Sequence, residues 1–396
     1  MDASLPIQQK ERVVVVDVLR GFALFGVLLG NFNGMLTNDV PETIIKNLST
    51  TFDYFLDTLH SVFIQNKFMT LFSILFGYGF GVIMERVAKK NLNTTGFFLR
   101  RMFWLFVFGC IHLAFWAEDI LHVYAIAGIF LLLFRKKTDR SIFIWSLIFM
   151  FVFPFFIRIY QQYMSYSHGA LIPTFYNTIK YGSIKDVAIV NYTTYPKLWI
   201  YTFVDLRDGC ETLGRFLSGY FILRKQILVR INEYKWLIKK TWNISFFGML
   251  AYITLWLLSN FHILTAQLLI YPLLRLGTFA TALFYTTSIV RLFETNRINR
   301  LMKGFSYLGR MTLTNYLMET LVYIIIFYNL GFGLLGEWSL TTIWIAAFLL
   351  YFLQIFFSRW WLSTFLYGPV EWIWRQLTYQ KRIPITKKGT KLGTKF

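Results

Sequence analysis

Asp17 and Arg20 lie inside the apolar run VVVVDVLRGFALFGVLLGNF, residues 13–32. A spacing of three puts them on one helix face, able to pair. Ionisable groups in a membrane helix are costly and face a bundle interior or a water-filled cavity. The pair therefore marks either a polar interior or a structural anchor in which Arg20 snorkels to the interface. The stretch FGCIHLAFWAEDILHVYA holds the residues best suited to proton transfer. His112 ends one apolar run; Asp119 and His122 open the next, again three apart. Histidine titrates near neutral pH and can act as a general base, and a carboxylate one turn away can orient it. The competing account is a set of polar caps, with Asp119 at a helix N-terminus.

Other polar residues interrupt apolar segments. Lys67, with His60 a little upstream, opens the run in HSVFIQNKFMTLFSILFGYGFG. It serves there as a ligand contact or as a snorkelling anchor, while the glycines favour close helix packing. Arg207 and Glu211 are four apart, with Asp205 and Asp208 beside them; these charges must pair or line a cavity. Asn315 and Glu319 share a helix face, headed by Arg310. Glu371 in GPVEWIWRQLTY sits in an amphipathic stretch whose tryptophans suggest an interfacial helix. Walker A, G-x-S-x-G and H-E-x-x-H patterns are absent, and Cys110 and Cys210 form no zinc or disulfide framework. No metal is expected.

The elements that position these residues follow from composition. The 396 residues are 56% hydrophobic and only 15% charged, with a mean hydropathy of +0.50. A soluble domain of this length carries more charge. The apolar runs are continuous rather than alternating, which selects helices over a barrel. The expected fold is an all-α polytopic bundle of about ten spans. They cover 13–35, 67–86, 98–117, 120–134, 141–161, 198–222, 238–258, 263–290, 311–332 and 340–358. The net charge of +20 does not indicate nucleic acid, because the basic residues fall in alternate short loops. That bias places both termini in the cytoplasm. The organisation is a cytoplasmic N-terminus (1–12), a first membrane half (13–161), an extracytoplasmic loop (162–197), a second half (198–358), and an interfacial helix with a basic tail (359–396). A multi-pass protein of the bacterial plasma membrane is expected, with the bilayer as its first partner and a homo-oligomer left open.

The stretches DVLRGFALFGVLLGN, KFMTLFSILFGYGFG, RRMFWLFVFGCIHLAFWAEDILHVYAIAG, GRMTLTNYLMET and YGPVEWIWRQLTY give the chain a resemblance. It resembles the YeiB-like family of bacterial integral membrane proteins, whose C-terminal domain has no assigned function. That group is similar to a wider superfamily of membrane acyltransferases, which includes heparan-α-glucosaminide N-acetyltransferase and bacterial O-acyltransferases of surface sugars. The resemblance implies that an acyl group is taken from cytoplasmic acyl-CoA, acetyl-CoA in the first instance. It is delivered to a small-molecule or surface-glycan acceptor on the far side. The O-acyltransferases end a similar first-helix motif with a histidine; Asn31 stands in its place here and cannot be a base. His112 or His122 with Asp119 then takes the proton. Asp17, Arg20, Asn31, Lys67, Arg207, Glu211, Arg310, Asn315 and Glu319 are the expected substrate contacts. A transporter, or a metabolite- or lipid-binding protein using the same polar interior, is the alternative, and a membrane scaffold is a third reading.

Overall fold

The computed structural model describes residues 13–91, 93–163, 172–193, 204–264, 267–295 and 299–387. The expected N-terminal segment 1–12, the end of the basic tail and parts of the 162–197 loop lie outside them. Described residues outside turns and loops are helical, apart from one antiparallel bridge between Phe365 and Thr386.

Among the described residues, seven helical segments are long and apolar enough to cross a membrane. They are Val14–Gly34, Thr51–Lys89, Thr94–Leu113, Asp139–Gln161, Lys235–Asn260, Leu268–Glu294 and Leu340–Thr364. Leu121–Phe134 and Thr312–Phe327 are apolar but shorter. The helix Val204–Arg224 has the length, but Arg207, Asp208, Glu211 and Arg215 break its apolar character. The 162–197 segment, expected as a loop, carries two helices, Ile172–Tyr181 and Ile184–Thr193.

The site rests on ten helices, numbered here in chain order. They are α1 (Val14–Asp39), α2 (Thr51–Leu59), α3 (Lys67–Lys89), α4 (Thr94–Leu113), α5 (Leu121–Leu131), α6 (Val204–Arg224), α7 (Asn299–Arg310), α8 (Thr312–Phe327), α9 (Leu340–Thr364) and α10 (Pro369–Tyr379). Helix α1 is central and packs on α3, α7, α8 and α9. Its contact with α7 is backbone on backbone: a Cβ on Gly309 would lie 1.8 Å from the Asp17 carbonyl oxygen. Gly219 brings α6 equally close to α3, where a Cβ would meet the Ile74 oxygen at 1.9 Å. Small residues serve this purpose where the surrounding lipid supplies no hydrophobic drive between helices.

Between α2 and α3 the chain makes a π turn, His60–Ile64. It then passes Asn66 at φ 64°, a left-handed conformation that asparagine tolerates. Side-chain caps fix other starts: Thr50 and Asp53 form a reciprocal capping box on α2, and Asn93 caps α4. The Lys- and Arg-rich connections gather at one end of the bundle. There Asp139 holds Arg224 at 2.9 Å and Lys225 at 2.8 Å. This is called the basic end below.

Candidate functional site

At the basic end, a cavity of about 190 Å³ opens between α1, α3, α4, α7, α8 and α10. Four arginines line it: Arg20, Arg101, Arg310 and Arg375. The carboxylates of Asp17 and Glu371 face them. Asp17 and Arg20 do share a face, with Nη1 3.6 Å from Oδ1, and Arg20 Nη2 donates to the Leu75 carbonyl at 3.4 Å. Gly79 makes room for this guanidinium, because a Cβ there would sit 2.3 Å from Nη2. Gly79→Ala is accordingly expected to displace Arg20 and to lower affinity for an anionic ligand of this pocket, read by equilibrium binding.

Arg101 is only 8% exposed. Its guanidinium lies 3.6 Å above the Trp374 ring, and its Nε has no hydrogen-bond partner. A buried cation is expensive unless something compensates it. The stacking on tryptophan does part of this. Glu371 is spent elsewhere. Its Oε1 accepts from the backbone N–H groups of Leu313 (2.6 Å) and Thr314 (3.0 Å), and its Oε2 accepts from the Thr314 hydroxyl at 2.5 Å. Burial pushes this carboxyl above its usual range, and the hydrogen bonds from Thr314 oppose that push. Glu371 thus turns inward from this helix and caps the N-terminus of α8. Glu371→Ala is expected to lower the apparent Tm of the solubilised protein, with a cost of roughly 1–2 kcal/mol for a lost cap.

Further along α8 lies the histidine cluster. His112 Nδ1 is 2.6 Å from Asp119 Oδ1, and His122 Nδ1 is 2.8 Å from Asp119 Oδ2. The backbone N–H of His122 also donates to Oδ2. The three residues read from the sequence therefore do converge. Gly109 permits it, because a Cβ at that position would meet the His122 backbone at 2.5 Å and Asp119 Oδ2 at 3.0 Å. Burial opposes the charge on Asp119, but the hydrogen bonds from both histidines outweigh it and hold the carboxyl below its usual range. A carboxylate only accepts, so each histidine donates its Nδ1 proton. Nε2 of His112 is then the acceptor, and the Thr320 hydroxyl lies 2.8 Å from it.

A second cavity, about 380 Å³, opens at the opposite end. Asn31, Asn33, Asp57, His60, Gln65 and Glu118 give it a polar lining. His60 is buried, and its Nε2 has no partner. Asp119, next to Glu118 in the chain, lies one residue behind this wall. The two cavities share α1 and α3. From Arg20 to Gly26 the rise is about 9 Å, and in that interval Phe22 and Phe68 pack with ring centroids 5.1 Å apart.

Lys67 lines neither cavity. Its Nζ donates to the Ser61 carbonyl (2.6 Å) and the Tyr252 hydroxyl (2.7 Å). Arg207 pairs with Asp208 at 3.0 Å rather than with Glu211. Glu211 instead takes Arg215, one turn onward, at 2.6 Å and Arg275 at 2.9 Å. The side chain of Asp205 lies outside the described residues. Asn315 donates to Ser358 Oγ at 3.0 Å and its carbonyl accepts from Gln354. Glu319 is buried on the same face, toward Gln354 of α9. Arg101, Arg375, Thr320 and Arg275 carry no local signal that marks them; each arrives from a distant segment.

Comparison with known proteins supports a single family. Residues 222–381 match the family described as "Protein of unknown function (DUF418)". The chain is 31% identical to "Uncharacterized protein YxaH" of Bacillus subtilis (strain 168), covering 98% of this chain and 99% of that one. It is 28% identical to "Uncharacterized 39.9 kDa protein in amylase 3'region" of Bacillus acidopullulyticus, over 97% and 98%. It is 25% identical to "Uncharacterized protein YeiB" of Escherichia coli (strain K12), over 96% and 100%. No solved structure matches.

Proposed function

Because the chain belongs to the YeiB-like family, whose matched relatives are named only as uncharacterised, we propose its function from the geometry of its own residues. The protein is a membrane acyltransferase. It takes an acyl group from acyl-CoA at the basic end and passes it to a hydroxyl or amine at the opposite end. The observation that carries this reading is the pocket of four arginines against two carboxylates, one of which already caps α8. Guanidinium forks bind phosphate in bidentate fashion, as a lysine point charge does not. The indole of Trp374 beneath Arg101 adds a flat surface beside them.

The rest of the chemistry has a place on the same helices. The basic end faces the cytoplasm by the positive-inside bias, where acyl-CoA is found. His112, oriented by Asp119, serves as the base. Asn31, which lines the opposite cavity, is assigned the donor to the developing oxyanion. Lys67 is already committed to Ser61 and Tyr252 and leaves that role to Asn31. The acceptor occupies the cavity of Asn31, His60 and Glu118.

The test is equilibrium binding of acetyl-CoA and longer acyl-CoAs to the purified protein in lipid nanodiscs. Saturable binding displaced by CoA supports the reading; no binding by the folded protein overturns it. Transport is the second reading, favoured by two cavities set back to back along α1 and α3. It requires flux into liposomes that survives Asp119→Asn.

A further inference from the structure

Thr320 lies midway along α8, eight residues beyond Thr312, which lines the basic pocket. That is a rise of about 12 Å. Four buried helical threonines elsewhere in the molecule return their hydroxyls to the carbonyl four residues back. Thr70 does so to Asn66, Thr278 to Leu274, Thr281 to Gly277 and Thr287 to Leu283. This is the ordinary resting place of a threonine inside a helix. The hydroxyl of Thr320 is instead 2.8 Å from His112 Nε2. With the imidazole neutral and its Nδ1–H donated to Asp119 at 2.6 Å, Nε2 presents a lone pair and the hydroxyl donates into it. Nucleophile, base and orienting carboxylate thus stand in the order that activates a hydroxyl.

The neighbouring face of α8 is already occupied by α9: Asn315 donates to Ser358 Oγ and its carbonyl accepts from Gln354. Thr320 lies about 100° around the helix from Glu319 and turns to α4, where His112 meets it.

Resting on the acyl-transfer reading above, we infer that Thr320 is a nucleophile that carries the acyl group as an ester between two half-reactions. In the first, Thr320 Oγ attacks the thioester carbonyl and a C–O bond forms as the C–S bond breaks. The hydroxyl proton passes to His112 Nε2 and then to the departing thiolate, which leaves as free CoA thiol. In the second, the acceptor hydroxyl or amine attacks the threonyl ester. Its proton passes to His112 and on to Thr320 Oγ, which is regenerated. No other reactant is needed.

The experiment incubates the whole protein in nanodiscs with acetyl-CoA labelled in the acetyl group and no acceptor. Released CoA is counted, and the peptide containing Thr320 is examined by mass spectrometry. About one CoA is expected per protein, together with an acetyl ester on Thr320 that hydroxylamine removes. Thr320→Ser is expected to keep the adduct, and Thr320→Ala to lose it while acetyl-CoA binding remains measurable. Saturable acetyl-CoA binding with no adduct, or with the acetyl group on His112, overturns this inference and leaves the acyltransferase reading standing. Absence of acetyl-CoA binding overturns the acyltransferase reading, and this inference falls with it.

Discussion

Replacing Arg20 and Arg101 together by alanine is expected to weaken acetyl-CoA binding by at least about 100-fold. A hydrogen bond to a charged group contributes about 1.5–3 kcal/mol, and each 1.4 kcal/mol is a factor of about ten in affinity. Two such losses reach 100-fold even where they are not fully additive. Arg101 is the stronger of the two choices. It is buried, braced by Trp374 and left with an unpartnered Nε, so its orientation is paid for before any ligand arrives. Arg101→Lys should recover little, because an ammonium neither stacks on Trp374 nor forks onto phosphate. Arg224→Ala is the control. It removes charge from the same end, but Arg224 is tied to Asp139 and does not line the pocket. Isothermal titration on nanodisc samples measures all of these. A double variant within threefold of wild type would remove the pocket from the account.

Asp119→Asn is expected to lower the rate of CoA release under turnover by about 10³–10⁴-fold, the scale seen when the acid of a hydroxyl–histidine–carboxylate system becomes an amide. The side chains are nearly the same size, so the fold persists. The chemistry does not. An amide presents one donor and one acceptor where the carboxylate accepted from both histidines. If the amide nitrogen meets His112 Nδ1, the ring must carry its proton on Nε2, and Nε2 can no longer accept from Thr320. Affinity for acetyl-CoA should change little, because the pocket lies at the N-terminal end of α8, about 12 Å from Thr320. His122→Ala should cost far less, since His112 keeps its own carboxylate oxygen. Steady-state release assayed beside binding separates these outcomes. An Asp119→Asn enzyme within tenfold of wild type would show that the cluster is only a structural tie.

The residues that the sequence makes legible are those whose partners lie within a turn or across one short connection. Asp17 and Arg20 pair within one turn of α1, and His112, Asp119 and His122 meet across the α4–α5 connection. Glu211 shows where that logic ends. Arg207 and Arg215 stand at equal spacing on either side of it, and helical periodicity does not choose between them. Packing chose Arg215 and added Arg275 from a helix more than sixty residues away. Arg101 resembles one more basic residue at a helix end until Trp374, from the far end of the chain, is found beneath it. Glu371 has the pattern of an amphipathic surface helix because its own helix does; its partners are backbone N–H groups of α8, which leave no mark in side-chain composition. Thr320 is one threonine among many, and the histidine it meets comes from a helix about two hundred residues away. The helices inside the 162–197 segment were hidden for a simpler reason: each is only ten residues long, too short for hydropathy to separate from a loop.

The account turns on acyl-CoA entering from the cytoplasm into the basic pocket. The most direct measurement is binding of labelled acetyl-CoA, which does not cross bilayers, to oriented cell-membrane vesicles carrying the protein. Inside-out vesicles should bind it saturably, right-side-out vesicles should not, and Arg20→Ala with Arg101→Ala should abolish the difference. Binding confined to right-side-out vesicles, or absent from both once the protein is shown to be folded, would contradict the account.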